Sequence, residues 1–211
     1  MLTATSVLSA LKKLYKPPRT FLAYRTPLDL TVATILSAQC TDDRVNTVVT
    51  ETLYPKYRTP DDYVAVSRQE LESEIYSCGT YRNKARFIQE MCQLLIDRFG
   101  GEVPRTLDEL ITLPGIGRKT AAIITYAAYD NPEAVAVDTH VIRVSRRLGL
   151  SKQQNPDKIS LDLMEALPKK EWGNITPYLI SHGRAVCTAR KPNCSACIFR
   201  DDCPSSAMLR S

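Results

Sequence analysis

No apolar run in the 211-residue sequence approaches the ~20 residues that a helix needs to cross a bilayer. Residues 1–15 are amphipathic and lack a small-residue cleavage site, so we expect no secretory signal. Low-complexity tracts and Gly/Ser linkers are also missing, and any second domain must therefore pack closely on the first. These absences predict an intracellular protein without a membrane span, in which thiols stay reduced.

Strand signals are nearly absent as well. The one short apolar segment, residues 134–137, cannot form a sheet by itself. Apolar residues instead recur at helical spacing along almost the whole chain, as where Val7, Leu11 and Leu14 precede Pro17. The pattern predicts an all-α fold of about ten helices with short connections.

Polar residues ahead of apolar stretches mark the expected helix starts. Ser67 and Thr106 each begin a capping-box pattern with a Glu three residues later. Asp42 or Asp43 is the expected cap of the helix that follows residues 28–39. The other principal helices are predicted at 83–99, 118–129, 138–148, 157–167 and 172–186.

The formal net charge is +5 and is unevenly distributed. Residues 141–152 and 181–200 contain several arginines and lysines but no carboxylate. A local positive field of this kind suits a polyanion such as nucleic acid. A solvated basic face explains the charge equally well.

Four of the seven cysteines form a C-x6-C-x2-C-x5-C pattern near the C-terminus. They are Cys187, Cys194, Cys197 and Cys203. Four converging thiolates indicate a bound metal or an iron–sulfur cluster, and the spacing alone admits zinc as well as iron. The remaining cysteines are predicted to lie on apolar helix faces as packing residues: Cys40, Cys78 and Cys92.

A turn with two glycines, Gly115 and Gly117, joins two predicted helices. Glycine lets the backbone approach a ligand closely, and the free N–H groups at the start of the next helix form an anion site for phosphate. A P-loop is excluded, because the four residues between Gly and Gly-Lys are missing.

Lys119 and Asp138 each have two interpretations. Lys119 lies in a first helical turn, where a cation is disfavoured; if desolvated near basic neighbours its pKa would fall, and a neutral amine is a nucleophile. If exposed, it would bind DNA phosphate. Asp138 is either a helix N-cap or a carboxylate beside Lys119 that accepts a proton. For His140 we favour a capping or core role over catalysis.

Three segments occur together in this order: L-P-G-I-G-R-K-T-A at 113–121, V-D-T-H-V at 137–141 and the four-cysteine pattern. The combination closely resembles the endonuclease III family of DNA glycosylases, within the helix-hairpin-helix superfamily. L-S-A-Q-C-T-D at 36–42 and G-T-Y-R-N-K-A at 79–85 are also similar to family segments. The resemblance covers nearly the whole chain.

The resemblance implies an all-α, two-domain helix-hairpin-helix glycosylase fold with a C-terminal iron–sulfur cluster loop. A six-helix barrel at about 22–132 would contain the hairpin. A composite domain of 1–21 and 133–211 would carry a [4Fe-4S] cluster on the four cysteines. DNA would lie across the mouth of the cleft between the domains, and the hairpin would bind a backbone phosphate together with a monovalent cation.

The implied activity is that of a bifunctional DNA N-glycosylase and DNA-(apurinic or apyrimidinic site) lyase that releases oxidised pyrimidines. Lys119 matches the family's nucleophilic lysine and Asp138 its catalytic aspartate. Gln39 matches the glutamine that fills the hole left by the extruded nucleotide. A Schiff base on the lysine would lead to β-elimination and strand cleavage.

One departure concerns Thr80, which occupies a position where many family members have a bulky apolar wedge; Tyr81 is the alternative wedge. The expected partner is double-stranded DNA with a damaged base or an abasic site, bound by a cytoplasmic, nucleoid-associated monomer without membrane contact. Two alternatives stay open: a glycosylase for mismatched thymine or uracil, and a non-enzymatic, metal-stabilised DNA-binding module. The expected DNA contacts are Gln39, Thr80, Tyr81, Gly115, Gly117, Thr120, His140, Arg143, Arg184, Arg190 and Lys191.

Overall fold

The computed structural model describes residues 2–206, and within that range it contains helices and no β-strand, as the sequence predicted. Met1 and residues 207–211, which the expected composite domain also includes, lie outside the described residues. The α-helices are α1 (Ala4–Leu14), α2 (Pro27–Leu36), α3 (Asp42–Val48), α4 (Tyr54–Lys56), α5 (Pro60–Ala65), α6 (Arg68–Glu74), α7 (Tyr81–Phe99), α8 (Leu107–Leu110), α9 (Arg118–Tyr129), α10 (Thr139–Arg147), α11 (Pro156–Glu165) and α12 (Trp172–Ala185).

Short helical turns of other types complete the chain. A π-helical turn continues α3 into α4, and 3-10 turns precede α7 and α12 and lie in the cysteine-rich segment. They are Val49–Leu53, Tyr76–Cys78, Lys169–Glu171 and Cys194–Ala196. No helix within residues 2–206 is both long and apolar enough to span a membrane.

Most of the expected helix ends lie within two residues of those observed, and two differences have identifiable reasons. The α3 helix is capped by Thr41, whose hydroxyl accepts a hydrogen bond from the Arg44 amide at 3.4 Å, and not by Asp42 or Asp43. Those two carboxylates lie in the first turn, where the helix dipole favours negative charge. The α2 helix ends at Leu36 and not at Gln39, because Gln39 adopts a φ of 55° that cannot continue a right-handed helix.

Backbone contacts divide the chain into two compact units. The first, which we call the hairpin unit, comprises Thr20–Asn131. In it α5 packs against α7, and α2 packs against both α7 and α9. Its core consists of fully buried side chains that include Leu30, Leu36, Leu53, Tyr63, Leu71, Ile75, Ile88, Met91, Leu95, Leu110 and Ile124.

The second unit, which we call the composite unit, comprises Met1–Arg19 and Pro132–Ser211. Its α12 packs against α1 and α10, so an N-terminal helix is buried among C-terminal ones. The buried segment before α10, residues 134–137, forms no β-ladder. Its backbone carbonyls at Val135 and Ala136 instead accept hydrogen bonds from the hydroxyls of Ser160 at 2.8 Å and Thr176 at 2.6 Å, which satisfies them without a sheet.

Candidate functional site

The glycine turn of the hairpin unit lies between α8 and α9, as the sequence predicted. Gly115 has a φ of +78°, and a Cβ placed there would lie 3.0 Å from the Cβ of Phe87. Gly117 is the N-cap of α9 and offers no side chain to its N–H groups. The first turn of α9 also contains no acidic residue. The partial positive charge of those N–H groups is therefore not neutralised by a side chain of that turn and can attract an anion.

Lys119 and Thr120 occupy this first turn of α9. The Lys119 side chain is exposed, and Thr120 is half-buried. Exposure means that side chains of the ligand-free protein do not desolvate the Lys119 ammonium. Any desolvation of this amine therefore has to come from a bound ligand.

Asp138 is the N-cap of α10, which confirms one of its two interpretations. Its Oδ1 accepts a hydrogen bond from the Val141 amide at 2.8 Å. The residue is only half-buried. A capping carboxylate has two oxygens, so the cap leaves Oδ2 available to another donor.

His140 and Arg143 lie one turn apart on α10, near the C-terminal end of α12. Arg143 donates from Nε to the Cys187 carbonyl and from Nη2 to the Gly183 carbonyl, both at 3.0 Å. Its Nη2 also lies 3.1 Å from His140 Nδ1. These bonds favour a structural role for Arg143, and its expected contact with DNA stays a prediction.

Two turns of the hairpin unit carry the other expected DNA-probing residues. Gln39 lies just after α2, and Thr80 lies just before α7; both are exposed and have positive φ, at 55° and 25°. Non-glycine residues in this region of backbone space are strained, and such strain concentrates at functional sites. The ring of Tyr81 packs at a tilt against that of the exposed Tyr76, with ring centroids 4.9 Å apart, which places an aromatic pair beside the Thr80 turn. The sequence analysis missed Tyr76.

A buried lysine connects these two turns. Lys84 of α7 is 3% exposed, and its ammonium donates to the Leu36 carbonyl at 2.8 Å and to the Cys78 carbonyl at 2.6 Å. Burial lowers the pKa of Lys84, although the neighbouring thiols of Cys40 and Cys78 oppose that shift. The sequence analysis missed Lys84, because a lysine on an amphipathic helix is normally solvated.

The three cysteines expected on helix faces differ from one another. Cys92 is buried on α7, as expected for packing. Cys40 is half-buried in the turn after α2 and Cys78 is buried in a 3-10 turn, so neither lies on an α-helical face. The reason is that α2 ends before Cys40, as the backbone of Gln39 requires.

The four C-terminal cysteines line one pocket of the composite unit, and none of them is in a disulfide. Burial raises the pKa of Cys197, and the neighbouring thiols raise it further. The same causes raise the pKa of Cys203. Neighbouring thiols disfavour one another's ionisation, and a positively charged group between them would favour their ionised form. Cysteine thiolates are the usual ligands of iron–sulfur clusters. No three His, Cys, Asp or Glu side chains of residues 2–206 converge on a single metal ion as they stand.

Two side chains that the sequence analysis missed surround this pocket. His182 of α12 is 1% exposed and lies with Nε2 3.6 Å from Cys197 Sγ and with Nδ1 3.2 Å from the Tyr15 hydroxyl. Arg147 donates from Nη1 to the Thr188 carbonyl at 2.7 Å and from Nη2 to the Ala189 carbonyl at 3.0 Å. Its Nη1 also lies 3.5 Å from the sulfur of Cys187.

The basic residues fall into two groups. Arg184, Arg190 and Lys191 are exposed around the cysteine-rich loop, in keeping with their expected role at phosphate. A second group lines an open groove of about 660 Å3 along α10, which the sequence analysis identified only as a basic stretch. Its cationic residues are Arg143, Arg146, Arg147 and Lys152.

Comparison with known proteins agrees with both the glycine turn and the cysteine pattern. Residues 32–169 match the HhH-GPD superfamily of base excision DNA repair proteins, and residues 187–203 match the iron–sulfur binding domain of endonuclease III. The chain is 48% identical to endonuclease III of Synechocystis sp. over 203 residues, which cover 96% of this chain and 92% of that protein. It is also 48% identical to endonuclease III of Bacillus subtilis over 177 residues, 83% of this chain and 80% of that one.

A solved structure of a trapped endonuclease III–DNA covalent intermediate is 44% identical to this chain, with a TM-score of 0.93 and coverage of 100% of both chains. The match to the iron–sulfur binding domain, together with the pocket that all four C-terminal cysteines line, means that the protein carries a [4Fe-4S] cluster. With a superfamily match across most of its length and relatives of 48% identity, this chain belongs to the endonuclease III family of the HhH-GPD superfamily.

Proposed function

We propose that this protein is a bifunctional base excision repair glycosylase and AP lyase that releases oxidised pyrimidines from duplex DNA. The observation that carries the proposal is Lys119. It lies two residues after Gly117, in the first turn of α9, in a chain 44% identical over its full length to a protein trapped covalently on DNA. The amine is exposed to an incoming ligand.

The first step is binding of the DNA backbone by the hairpin. The N–H groups at the start of α9 bind a phosphate oxygen, and the backbone of the Gly115–Gly117 turn would hold a monovalent cation that adds positive charge there. Gly115 brings the backbone close to the phosphate, because its conformation and its contact with Phe87 admit no side chain. Lys119 then reaches the adjoining nucleotide.

The second step is extrusion of the damaged nucleotide, because its sugar is unreachable inside the duplex. Extrusion costs a few kcal/mol, least for a base whose pairing is already damaged. Gln39 offsets part of that cost by hydrogen bonding to the orphaned base. The Thr80 turn enters the duplex beside it, and the ring of Tyr81 supplies the apolar surface that Thr80 lacks.

The chemistry then needs an uncharged amine at Lys119. The bound duplex excludes water from the amine. Its Nζ attacks C1′ of deoxyribose as the glycosidic bond breaks and the base leaves with the bonding electrons. Asp138 accepts the proton of the amine through its uncapped oxygen and stabilises the cationic sugar. The ring opens to a Schiff base, a C2′ proton is removed, and the C3′–O bond breaks by β-elimination.

We assign the four C-terminal cysteines as the cluster ligands. When bound, the [4Fe-4S] cluster supplies four metal–thiolate bonds that fix the conformation of residues 187–203. Arg190 and Lys191 on that loop then contact phosphate. Arg147 orients the same loop by donating hydrogen bonds to the carbonyls of Thr188 and Ala189. The more exposed cations of the loop stay available to DNA.

We assign the hairpin unit to the barrel domain expected at 22–132. We assign the composite unit to the domain expected at 1–21 and 133–211. The hairpin, Gln39 and Thr80 belong to the first, and Asp138 with the cysteines to the second. We expect the enzyme to work as a monomer in the cytoplasm, associated with the nucleoid. Its substrate is chromosomal duplex DNA with a damaged base or an abasic site.

Borohydride trapping tests the role of Lys119. Wild-type protein mixed with a duplex that contains one abasic site is expected to give a covalent adduct after reduction of the Schiff base. Lys119→Gln is expected to bind the same duplex but give no adduct. An adduct of equal yield with Lys119→Gln refutes the lyase assignment, and no adduct with wild type leaves a DNA-binding module.

A second pair of variants separates the two roles of Asp138. Asp138→Asn keeps an acceptor for the Val141 amide, so its thermal stability should match wild type, while base release falls by about 10²–10⁴-fold, the usual contribution of a general base. Asp138→Ala should lose the same activity and in addition about 1 kcal/mol of stability. If Asp138→Asn released an oxidised pyrimidine at the wild-type rate, Asp138 would be a helix cap only.

A further inference from the structure

One buried side chain holds the turns that carry Gln39 and Thr80, which we call the probing turns. The ammonium of Lys84 donates to the carbonyl of Leu36 at 2.8 Å and to that of Cys78 at 2.6 Å. Leu36 is the last residue of α2, three positions before Gln39. Cys78 is the last residue of the 3-10 turn, two positions before Thr80. Both carbonyls therefore belong to backbone that leads directly into a probing turn.

The main chain of Lys84 adds a third bond. Its amide donates to the Thr80 carbonyl at 3.2 Å, at the start of α7. The same residue is thus bonded to the backbone ahead of each probing turn and to the backbone of Thr80 itself. In addition, α3, which follows the Gln39 turn, packs against the 3-10 turn that precedes Thr80. The two probing turns are therefore neighbours in the fold, with Lys84 between them.

The bonds from the ammonium stabilise helix ends that would otherwise have unsatisfied backbone groups. The last carbonyls of a helix lack intrahelical partners, and a cation beside them also interacts favourably with the helix dipole. Lys84 is 3% exposed, so its bonds form away from water, where their loss is costly. The strained backbone of Gln39 and of Thr80 persists only where the surrounding structure fixes it. A buried cation bonded to both segments provides such a fixed point.

We propose that Lys84 is a positioning residue for nucleotide extrusion, which fixes the spacing of the two probing turns so that Gln39 and Thr80 enter the duplex together. This role rests on the proposed function, in which Gln39 bonds to the orphaned base and the Thr80 turn enters beside it. Without the ammonium, each turn keeps its own residue but is no longer held against the other. The two turns then have to be ordered during extrusion, which slows that step.

Fluorescence of 2-aminopurine measures insertion without the lyase chemistry. The probe is a duplex with a tetrahydrofuran abasic-site analogue, which cannot form a Schiff base, and with 2-aminopurine opposite it as the orphaned base. Insertion of Gln39 is expected to change the fluorescence, and Gln39→Ala is expected to abolish that change. Lys84→Met, which keeps most of the side-chain volume but has no donor, is expected to lose most of the change, while fluorescence anisotropy shows that the duplex is still bound.

Two further variants separate positioning from stability. Lys84→Gln keeps a donor but is one bond shorter, so it can satisfy only one carbonyl; it should fold even if Lys84→Met does not, and it should also lose most of the fluorescence change. Ile88→Ala, one helical turn later on α7, removes buried volume and leaves Lys84 in place. It should lower the Tm but keep the fluorescence change.

Three outcomes of the fluorescence experiment would contradict the proposal, and they differ in what they refute. If the folded Lys84 variants keep the change, or if Ile88→Ala loses it to the same extent at an equal loss of Tm, the positioning role is overturned. If the change persists in Gln39→Ala, the role of Gln39 in the proposed function is wrong, and the positioning role fails with it.

Borohydride trapping on a true abasic duplex in single turnover gives the consequence for the reaction. Lys84→Gln is expected to lower the maximal trapping rate by about 10–100-fold, as a small misplacement can, with little change in the duplex concentration at half-maximal rate. Gln39→Ala should then cost less in the Lys84→Gln protein than in wild type, because both changes act on one insertion step. A full additional loss overturns the link between Lys84 and Gln39. If wild type gives no adduct, the proposed lyase function fails, while the fluorescence result still decides the positioning role.

Discussion

Replacement of Arg147 by glutamine tests how the cysteine-rich loop is held on α10. Arg147 donates two hydrogen bonds to loop carbonyls, at Thr188 and Ala189, and lies against the sulfur of Cys187. Glutamine is too short to span both carbonyls and lacks the forked donor. We expect the loop to open more often in Arg147→Gln, with exposure of the cluster.

The size of the effect follows from the burial of the two bonds. A hydrogen bond from a charged group contributes about 1.5–3 kcal/mol when desolvated. The bond to Thr188 is partly buried and falls at the low end of that range, whereas the bond to Ala189 is exposed, and we assign it about 0.5 kcal/mol. A total of about 2 kcal/mol corresponds to roughly a 30-fold rise in the open population.

The rate at which an iron chelator bleaches the absorbance near 400 nm measures this opening. Arg147→Gln should bleach about 30-fold faster than wild type, if the chelator meets the cluster only in the open loop. Arg146→Gln is the matched control, since it removes the same charge at the next position, from a residue without a side-chain hydrogen bond or ion pair in residues 2–206. Equal bleaching rates for Arg147→Gln and wild type would refute the idea that the two hydrogen bonds of Arg147 hold the loop. Equal acceleration in Arg147→Gln and Arg146→Gln would show that the loss of positive charge causes the faster bleaching.

Two further predictions concern stability. Burial acts to raise the pKa of Glu171, but the bonds from Lys12 and Asn174 outweigh it, and the pKa lies below its usual range. This contribution is complete above the usual Glu pKa of about 4.3 and is lost as pH falls through the lowered value. Glu171→Gln should therefore lower the free energy of unfolding by about 0.5 kcal/mol at neutral pH, and the difference from wild type should shrink as the pH is lowered. Gly115→Ala should cost about 1–2 kcal/mol in denaturant unfolding because of its positive φ and the clash with Phe87, and it should weaken DNA binding. Gly117→Ala, with a φ of −96° and open space, should change stability by about 0.5 kcal/mol or less; equal losses would contradict the strain argument.

Much of the fold was predictable from the sequence because its signals are local. Apolar periodicity predicted the helices, and α9 was placed at Arg118–Tyr129 as observed. Ser67, Thr106 and Asp138 cap their helices as expected from short-range hydrogen bonding. The motifs at 113–121 and 137–141 and the cysteine pattern identified the family, which the comparisons confirm.

The residues that sequence reasoning missed depend on tertiary contacts. In the sequence, Lys84 is one more charged residue on an amphipathic helix. Its ammonium is buried only because the turns after α2 and before α7 meet in the fold. Arg147 reads as part of a basic stretch, but its bonds reach residues about 40 positions later. Gln39 carries no local signal for a positive φ, since most residues avoid it, and that is why α2 was predicted to run too far.

The two interpretations of Asp138 support each other. A carboxylate on a flexible surface side chain would lose rotamer entropy to reach one geometry. The hydrogen bond from the Val141 amide to Oδ1 already restricts that side chain, and the extended backbone of the cap directs it across the start of α10. The cap therefore positions the carboxylate in advance, and the proposed proton transfer to the second oxygen would need no further ordering of Asp138. Asparagine, which preserves the hydrogen bond but cannot accept the proton, is for this reason the variant that isolates the chemistry from the fold.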